Sequence, residues 1–258
     1  MTGKVHLTRD GAIATVVIDN EPRLNALSRP MWEGLGQAFS KLSADDSVRC
    51  VVLRGAGEAF ASGADISVFE TERKDIESAR RYAATTHGAL EAIGDCPHPV
   101  VALIKGPCIG GGFEIATRCD MRICGESSRL GIPARNLGLV VGYSEMQALI
   151  AVVGHATALE ILFEGRFFGA AEALQKGMVN RVVPDADVEK EAYATAQRIA
   201  AGAPLSARWH KKFAKRLLDP RPLTAAEREE EFACFATEDY NIGYRAFLAK
   251  KKPEFEGR

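Results

Sequence analysis

The sequence lacks an excess of charge of either sign. Its 258 residues carry 33 basic and 34 acidic side chains, for a formal net charge of −1. Proteins that bind nucleic acid usually show a basic excess as their electrostatic footprint. The composition therefore excludes a broad surface that binds polyanions and predicts no nucleic-acid partner. It does not exclude small phosphate-binding patches.

Long hydrophobic runs are also missing. The nearly uninterrupted apolar run from Leu149 to Val153 is far shorter than the roughly 20 residues that a membrane span needs. The first residues, MTGKVHLTRDG, do not show the apolar core of a signal peptide. We expect a cytoplasmic protein with no membrane partner.

Cysteine motifs are absent as well. The six cysteines are scattered, with no CxxC and no paired Cys/His spacing. In a chain of this size such cysteines are typical of reduced thiols rather than of disulfides or zinc ligands. We expect neither a metal site nor a disulfide framework.

What the sequence does contain is an alternation of apolar strands and amphipathic helices. β-Branched segments at 12–19, 48–54, 100–105 and 121–124 predict buried strands. Between them, a helical stripe follows Ser28, the expected N-cap, and a longer helix is predicted over 75–93. Fully apolar strands that alternate with helices indicate an α/β fold whose sheet is covered on both faces.

The last part of the chain has a different pattern. Helical periodicity predicts helices at 186–201, 205–218 and 224–248, with only one more β-branched run, at 179–183. No Ser/Gly/Pro-rich linker precedes these helices. We therefore expect an α/β core over 1–200 and a helical region over 201–258 that packs on the core or on another subunit.

Two loops have unusual backbone requirements. The first, Phe60-Ala-Ser-Gly-Ala-Asp-Ile-Ser67, follows the second predicted strand; the second, Ile109-Gly-Gly-Gly-Phe-Glu114, follows the third and opens a helix. Consecutive glycines let a ligand approach the main chain closely, and a helix N-terminus leaves N–H donors free. Such donors suit an oxygen that gains negative charge, but a simple tight turn would use the same glycines.

Four segments in this order carry a specific resemblance. They are LNAL (24–27), FASGADIS (60–67), PVVALIKGPCIGGGFEIATRCDMRI (99–123) and GMVNRVV (177–183). Together they resemble the enoyl-CoA hydratase/isomerase (crotonase) superfamily over essentially the whole chain. The resemblance implies a crotonase-type spiral of repeated β-β-α units, with a helical C-terminal region that builds trimers or dimers of trimers. It also implies an acyl-CoA substrate and no separate cofactor, since coenzyme A is part of the thioester substrate.

The resemblance also implies an oxyanion hole formed by the backbone N–H groups of Ala64 and Gly111. Removing an α-proton from a thioester, or adding water across its conjugated double bond, creates an enolate-like oxygen. Two fixed donors stabilise that oxygen more than the neutral ground state.

The carboxylates depart from the family pattern at one position. Glu114 lies one helical turn after Gly111 and matches the glutamate with which hydratases activate water. The second hydratase glutamate falls on Ala134, which cannot transfer a proton, so hydration is expected to be slow unless another group substitutes. Arg135, Tyr143 and Glu145 are nearby. Glu145, at the start of the next helix, is the first candidate for a substitute, but its position is more typical of an ordinary helix-start carboxylate.

Further contacts with substrate are implied by the resemblance. Arg23 and Lys250 are candidates for the CoA phosphates, although the loop after Arg23 is one residue shorter than the family's usual pattern. Asp65, which follows the oxyanion alanine, is better explained as a turn or cap residue than as a base. Four histidines in no ligand spacing are interpreted as structural: His87, His98, His155 and His210. The remaining candidate contacts are Leu24, Ala26, Ala61, Ile66, Gly110, Ala134 and Phe247.

Three functions are therefore open. The first is an enoyl-CoA hydratase or isomerase. The second is a decarboxylase or another thioester reaction on the same scaffold, in which the enolate is stabilised but proton transfer uses other groups. The third is a protein that binds CoA thioesters with little catalysis.

Overall fold

The computed structural model describes residues 3–258 and contains nine strands. Five of them correspond to the β-branched segments predicted at 12–19, 48–54, 100–105, 121–124 and 179–183. Strand β1 and the short strands β5, β7 and β8 were not predicted. The strands are β1 (Lys4–Asp10), β2 (Ile13–Asp19), β3 (Cys50–Gly55), β4 (Val100–Ile104), β5 (Pro107–Ile109), β6 (Met121–Gly125), β7 (Arg129–Gly131), β8 (Phe168–Gly169) and β9 (Arg181–Val183).

The strands form two sheets. Six of them pair in the order β1-β2-β3-β4-β6-β9, antiparallel between β1 and β2 and parallel elsewhere. The other three pair in the order β5-β7-β8. Because β5 follows β4 after only two residues, the chain turns directly from the large sheet into the small one.

Ten α-helices surround these sheets. Helix α1 begins directly after Ser28, as predicted, but the Ser28 hydroxyl makes no capping hydrogen bond. The helices are α1 (Arg29–Ser43), α2 (Phe69–Glu72), α3 (Ile76–Asp95), α4 (Gly111–Arg118), α5 (Tyr143–Glu164), α6 (Ala170–Gln175), α7 (Val188–Ala200), α8 (Pro204–Arg216), α9 (Ala225–Glu229) and α10 (Glu238–Leu248).

The apolar strands are covered on both faces, which explains why they do not alternate with polar residues. In β3, Val51 and Leu53 belong to the main core with α1 and α3. Cys50 and Val52, on the opposite face, pack in a second cluster with α7. Successive side chains of a strand point to opposite faces, so an entirely apolar strand requires two cores.

Helix α5 is long and apolar enough, by length and composition, to span a bilayer, as some helices of soluble proteins also are. Its backbone leaves the helical conformation at Gly154, where φ is +75°. Each arm on either side of Gly154 is therefore shorter than the roughly 20 residues of a membrane span. The helix is better described as two helical arms joined at a glycine.

The region after residue 200 is helical, as predicted, but its last predicted helix was wrong in extent. Instead of one helix over 224–248, the chain forms α9, a 3₁₀ segment at Glu230–Ala236, and α10. Thr237 explains the break, because its hydroxyl accepts a hydrogen bond from the Tyr240 N–H and starts a new helix. Thr237, which lies inside an otherwise helical pattern, therefore marks the N-terminus of a second helix, α10.

All six cysteines are free thiols, and they differ sharply in exposure. Cys50, Cys96, Cys108, Cys119 and Cys124 are buried, whereas Cys234 is partly exposed. Burial raises the pKa of the Cys50, Cys119 and Cys124 thiols to about 12. These thiols serve as apolar packing groups.

Candidate functional site

The two loops singled out in the sequence lie side by side. The Ala61 N–H donates to the carbonyl of Pro107 at 3.0 Å, and the Ile109 N–H donates to the carbonyl of Ala61 at 2.9 Å. Ala61 and Cys108 form an isolated parallel bridge. Strands β3 and β4 are neighbours in the parallel sheet, so the loops that follow them leave the same edge and meet there.

Glycine is required at this junction for two different reasons. Gly110 has a φ of +52°, a conformation that residues with a Cβ adopt only at a cost. A Cβ on Gly112 would lie 2.5 Å from the Ala61 carbonyl oxygen, so only glycine lets α4 approach the first loop. The glycine run therefore fixes the position of the α4 N-terminus against the first loop.

The N–H groups of Ala64 and Gly111 are unused within the protein. Across residues 3–258, neither donates a hydrogen bond to a backbone or side-chain acceptor. Gly111 is the first residue of α4, where a helix has no internal partner for its N–H. A Cβ built on Gly63, the neighbour of Ala64, would lie 3.8 Å from the Gly111 nitrogen. Two free donors thus come from adjacent stretches of backbone.

Both residues line a cavity of about 350 Å³. Its wall is largely apolar, and its polar groups converge from α3, α4 and α5. A concave, mostly apolar pocket with a few converging polar groups is the usual form of a ligand site. The apolar wall includes Trp32, Phe69, Ile132, Leu137, Leu139 and Val141.

Glu114 enters this cavity from the first turn of α4. Burial, followed by the nearby Glu145 carboxylate, raises the pKa of Glu114 to about 7; Arg73 and Arg118 act in the opposite direction. A carboxyl group with a pKa close to neutrality can both accept and release a proton under physiological conditions.

Glu145 enters the same cavity from the first turn of α5, and its residue is only 8% exposed. Its Oε1 lies 2.9 Å from the Nε2 of His87, while its buried Oε2 has no hydrogen-bond partner in residues 3–258. Buried polar atoms are normally satisfied, so this oxygen can accept a hydrogen bond from a ligand or a water in the cavity. Glu145 is therefore more than an exposed helix-start carboxylate.

Ala134 also lines the cavity, and its neighbours do not replace the missing carboxylate. The Arg135 guanidinium donates to the carbonyl of Phe163 and is absent from the cavity wall. Tyr143 is 98% exposed. Of the three nearby candidates, only Glu145 reaches the cavity.

The predicted contact residues divide into two groups. Ile66 and Gly110 line the cavity, together with Ala134. The others lie outside its wall within the single chain: Arg23, Leu24, Ala26, Ala61, Asp65, Phe247 and Lys250.

Two of the outer residues contact each other. Arg23 Nη1 donates to Asp65 Oδ2 at 2.7 Å, and Asp65 Oδ1 accepts a hydrogen bond from the Ser67 N–H at 3.0 Å. Hydrogen bonds from Ser67, its hydroxyl first, lower the pKa of Asp65. Asp65 thus caps the turn that follows Ala64, in agreement with its interpretation as a turn residue.

Sequence reasoning missed His87, which it interpreted as structural. On α3, Ala83 and His87 line the cavity, as do Tyr82 and Thr86. Ala83 and His87 are four residues apart, as are Tyr82 and Thr86, and this spacing places the two members of each pair on one helix face. A helix was predicted over 75–93, so the signal for His87 was its position one turn after Ala83 on that helix.

Comparisons with known proteins identify the family to which this fold belongs. The sequence model of the enoyl-CoA hydratase/isomerase family matches residues 8–258. An enoyl-CoA hydratase/carnithine racemase from Magnetospirillum magneticum is 48% identical over 100% of this chain and 97% of that chain, with a TM-score of 0.98. An enoyl-CoA hydratase from Bacillus anthracis is 28% identical over 99% and 100% of the two chains, with a TM-score of 0.92.

A short-chain-enoyl-CoA hydratase from Clostridium acetobutylicum is also similar to this chain. The two are 33% identical over 97% of this chain and 96% of the relative. The similarity spans almost the full length of both proteins in all three comparisons. Together with the family match, it shows that this chain belongs to the enoyl-CoA hydratase/isomerase family.

Proposed function

We propose that this protein hydrates an enoyl-CoA, with Glu114 and Glu145 as its two proton-transferring carboxylates. The observation that carries the proposal is the convergence of both side chains in one cavity, beside two free backbone N–H groups. Family membership supplies the acyl-CoA class of substrate. Glu145 supplies the second carboxylate that the sequence lacks at Ala134.

The N–H groups of Ala64 and Gly111 act as the oxyanion hole in this proposal. As water adds to the β-carbon, negative charge moves to the thioester oxygen. Two fixed donors at that oxygen stabilise the charge when it develops, and the Gly111 N–H also lies at the positive end of α4. In other oxyanion enzymes the loss of one donor costs about 3 kcal/mol.

The two glutamates have complementary roles. Glu114 takes a proton from water as the oxygen attacks the β-carbon, and Glu145 gives its proton to the α-carbon. The product is a 3-hydroxyacyl-CoA with the composition of the enoyl-CoA plus one water; its hydroxyl group comes from that water and its α-proton from Glu145. The pKa of Glu114, about 7, suits a group that must exchange a proton near neutrality.

The absence of a carboxylate at Ala134 favours a second candidate reaction. An isomerase or decarboxylase would use the same oxyanion hole to stabilise an enolate but would not need the two-glutamate arrangement of the hydratases. In that case one of the two carboxylates would carry the proton transfer by itself. Turnover of crotonyl-CoA, compared with malonyl-type CoA esters, separates the two.

The decisive experiment measures crotonyl-CoA hydration by Glu114→Gln and Glu145→Gln. Each variant should lose at least about a hundredfold in turnover, because general acid–base catalysis contributes about 10² to 10⁴. The exposed Glu126 provides the control Glu126→Gln, which should hydrate like the wild type. Wild-type turnover by Glu145→Gln would show that Glu145 is not the second carboxylate.

The assembly and the remaining contacts are part of the same proposal. We expect a cytoplasmic homotrimer or dimer of trimers in which Arg23, Phe247 and Lys250 meet the CoA moiety, across a subunit boundary where needed. Acetoacetyl-CoA should then raise the melting temperature, because a ligand that binds only the folded state stabilises it. No shift at millimolar ligand would contradict CoA-thioester binding.

A further inference from the structure

His87 contacts the buried Glu145 and is itself partly exposed. The His87 side chain is 40% exposed and the Glu145 side chain is 9% exposed, with 2.9 Å between Nε2 and Oε1. The histidine therefore has one ring nitrogen on the carboxylate, while its exposed part lies at the cavity wall, where water can reach it. No part of the reaction described above uses it.

Hydration by two carboxylates leaves a proton imbalance after each turnover. Glu114 ends the reaction with an extra proton from water, while Glu145 has given one to the α-carbon. Before the next cycle, Glu114 must lose a proton and Glu145 must gain one. This requirement rests on the proposed function, and it needs a path between the cavity and solvent.

The other charged and titratable groups around Glu145 do not offer that path. Arg73 and Arg118 carry guanidinium groups, which donate hydrogen bonds and have no acceptor for a relayed proton. The Tyr82 hydroxyl accepts a hydrogen bond from Trp32 Nε1, and burial raises its pKa. Glu114 is the group that must itself be reset. Imidazole is the side chain that exchanges protons most readily near neutral pH.

We propose that His87 is a proton relay that returns a proton from solvent to Glu145 in every hydration cycle. The imidazolium gives its Nε2 proton to Glu145 Oε1, and the neutral ring takes up a new proton from water. Glu114 releases its proton to solvent as the product leaves, so no net proton is gained or lost. In the dehydration direction both transfers run in reverse.

A purely structural role would be that His87 only holds the Glu145 carboxylate in place. The two roles differ in what can replace the imidazole. Glutamine keeps a hydrogen-bond donor beside Oε1 but does not transfer protons. Small imidazoles in solution can transfer protons but do not hold the side chain.

The test measures steady-state crotonyl-CoA hydration at low buffer concentration with His87→Ala, His87→Gln and the control His210→Ala, which removes an exposed histidine of α8. Both His87 variants should lose about tenfold in kcat, with a smaller loss in kcat/KM, because resetting follows the chemical step. Added imidazole should restore kcat in His87→Ala, while His210→Ala should match the wild type.

Two results would overturn the relay: wild-type kcat in folded His87→Gln, or no response of His87→Ala to imidazole. A melting curve for each variant establishes folding first, and His87→Gln remains informative if His87→Ala does not fold. Failure of the proposed function is distinct, because it appears as an active Glu145→Gln protein. If Glu145→Gln is inactive and His87→Gln is fully active, only the relay is wrong.

Discussion

Glu114 connects the chemistry of the cavity to the stability of the fold. In the folded protein its pKa is about 7, against an ordinary value of 4.5. Between these pH values the folded state binds one more proton than the unfolded chain, so the free energy of unfolding falls as pH rises. The loss is about 3 kcal/mol at most, since one pKa unit corresponds to about 1.4 kcal/mol.

Glu114→Gln removes this penalty. The variant should therefore gain more stability over the wild type at about pH 8 than at about pH 5. Urea denaturation at both pH values measures the difference, with Glu126→Gln as the control for the loss of a surface carboxylate. An equal effect of Glu114→Gln at both pH values would contradict the raised pKa.

Ala134→Glu tests which carboxylate completes the site. If Glu145 is the second proton-transferring group, a third carboxylate in the same cavity should raise the pKa of Glu114 further and slow hydration at neutral pH. Ala134→Gln, similar in size but neutral, controls for crowding. A rise in crotonyl-CoA turnover with Ala134→Glu alone would instead show that the site was incomplete without a glutamate there.

At the level of helices and loops, the contact between α4 and the first loop depends on Gly112. Its substitution by alanine would place a Cβ 2.5 Å from the Ala61 carbonyl oxygen and 2.9 Å from the Ala61 Cβ. We expect Gly112→Ala to lower the free energy of unfolding by about 2–3 kcal/mol, in the range of other overpacked sites. Hydratase activity should fall as well, because Gly111 would move away from Ala64.

Gly88 provides a matched control on α3. No atom lies within 4 Å of a Cβ built there. Gly88→Ala should leave stability unchanged or raise it by up to about 1 kcal/mol, because alanine favours a helix interior. Chemical denaturation of both variants gives the comparison, and equal destabilisation would refute the steric explanation for Gly112.

The sequence predicted the elements that repeat a clear pattern and missed those that depend on partners. Strands β2, β3, β4 and β6 are apolar enough to be recognised locally. Strand β8 has only two residues and exists because β7 pairs with it. Likewise, Glu114 was recognisable from its loop, and Glu145 was named as a candidate, but the contact of Glu145 with His87 could not be predicted because His87 belongs to a helix distant in sequence.

For the whole molecule, exposed apolar side chains of the C-terminal region point to an assembly. Leu217 is 67% exposed and Phe232 is 53% exposed. Where exposed apolar side chains form a contiguous patch, they mark an interaction surface, and we expect such a surface in this region. Light scattering should give three or six times the chain mass of 27.9 kDa.

Leu217→Lys with Phe232→Lys should shift the protein toward smaller species, because a charge buried between subunits is costly. Ile76→Lys, at an exposed apolar residue of α3, should leave the mass unchanged. A wild-type mass of a single chain would contradict the proposed trimer.

Because the six thiols differ in burial, a maleimide should react with the native protein at one cysteine. Cys234 is partly exposed in the 3₁₀ segment between α9 and α10, whereas the other five are buried. A fluorophore attached there would lie in the region expected to assemble, without any engineered cysteine. Slow labelling at high protein concentration and fast labelling on dilution would then follow subunit dissociation in real time.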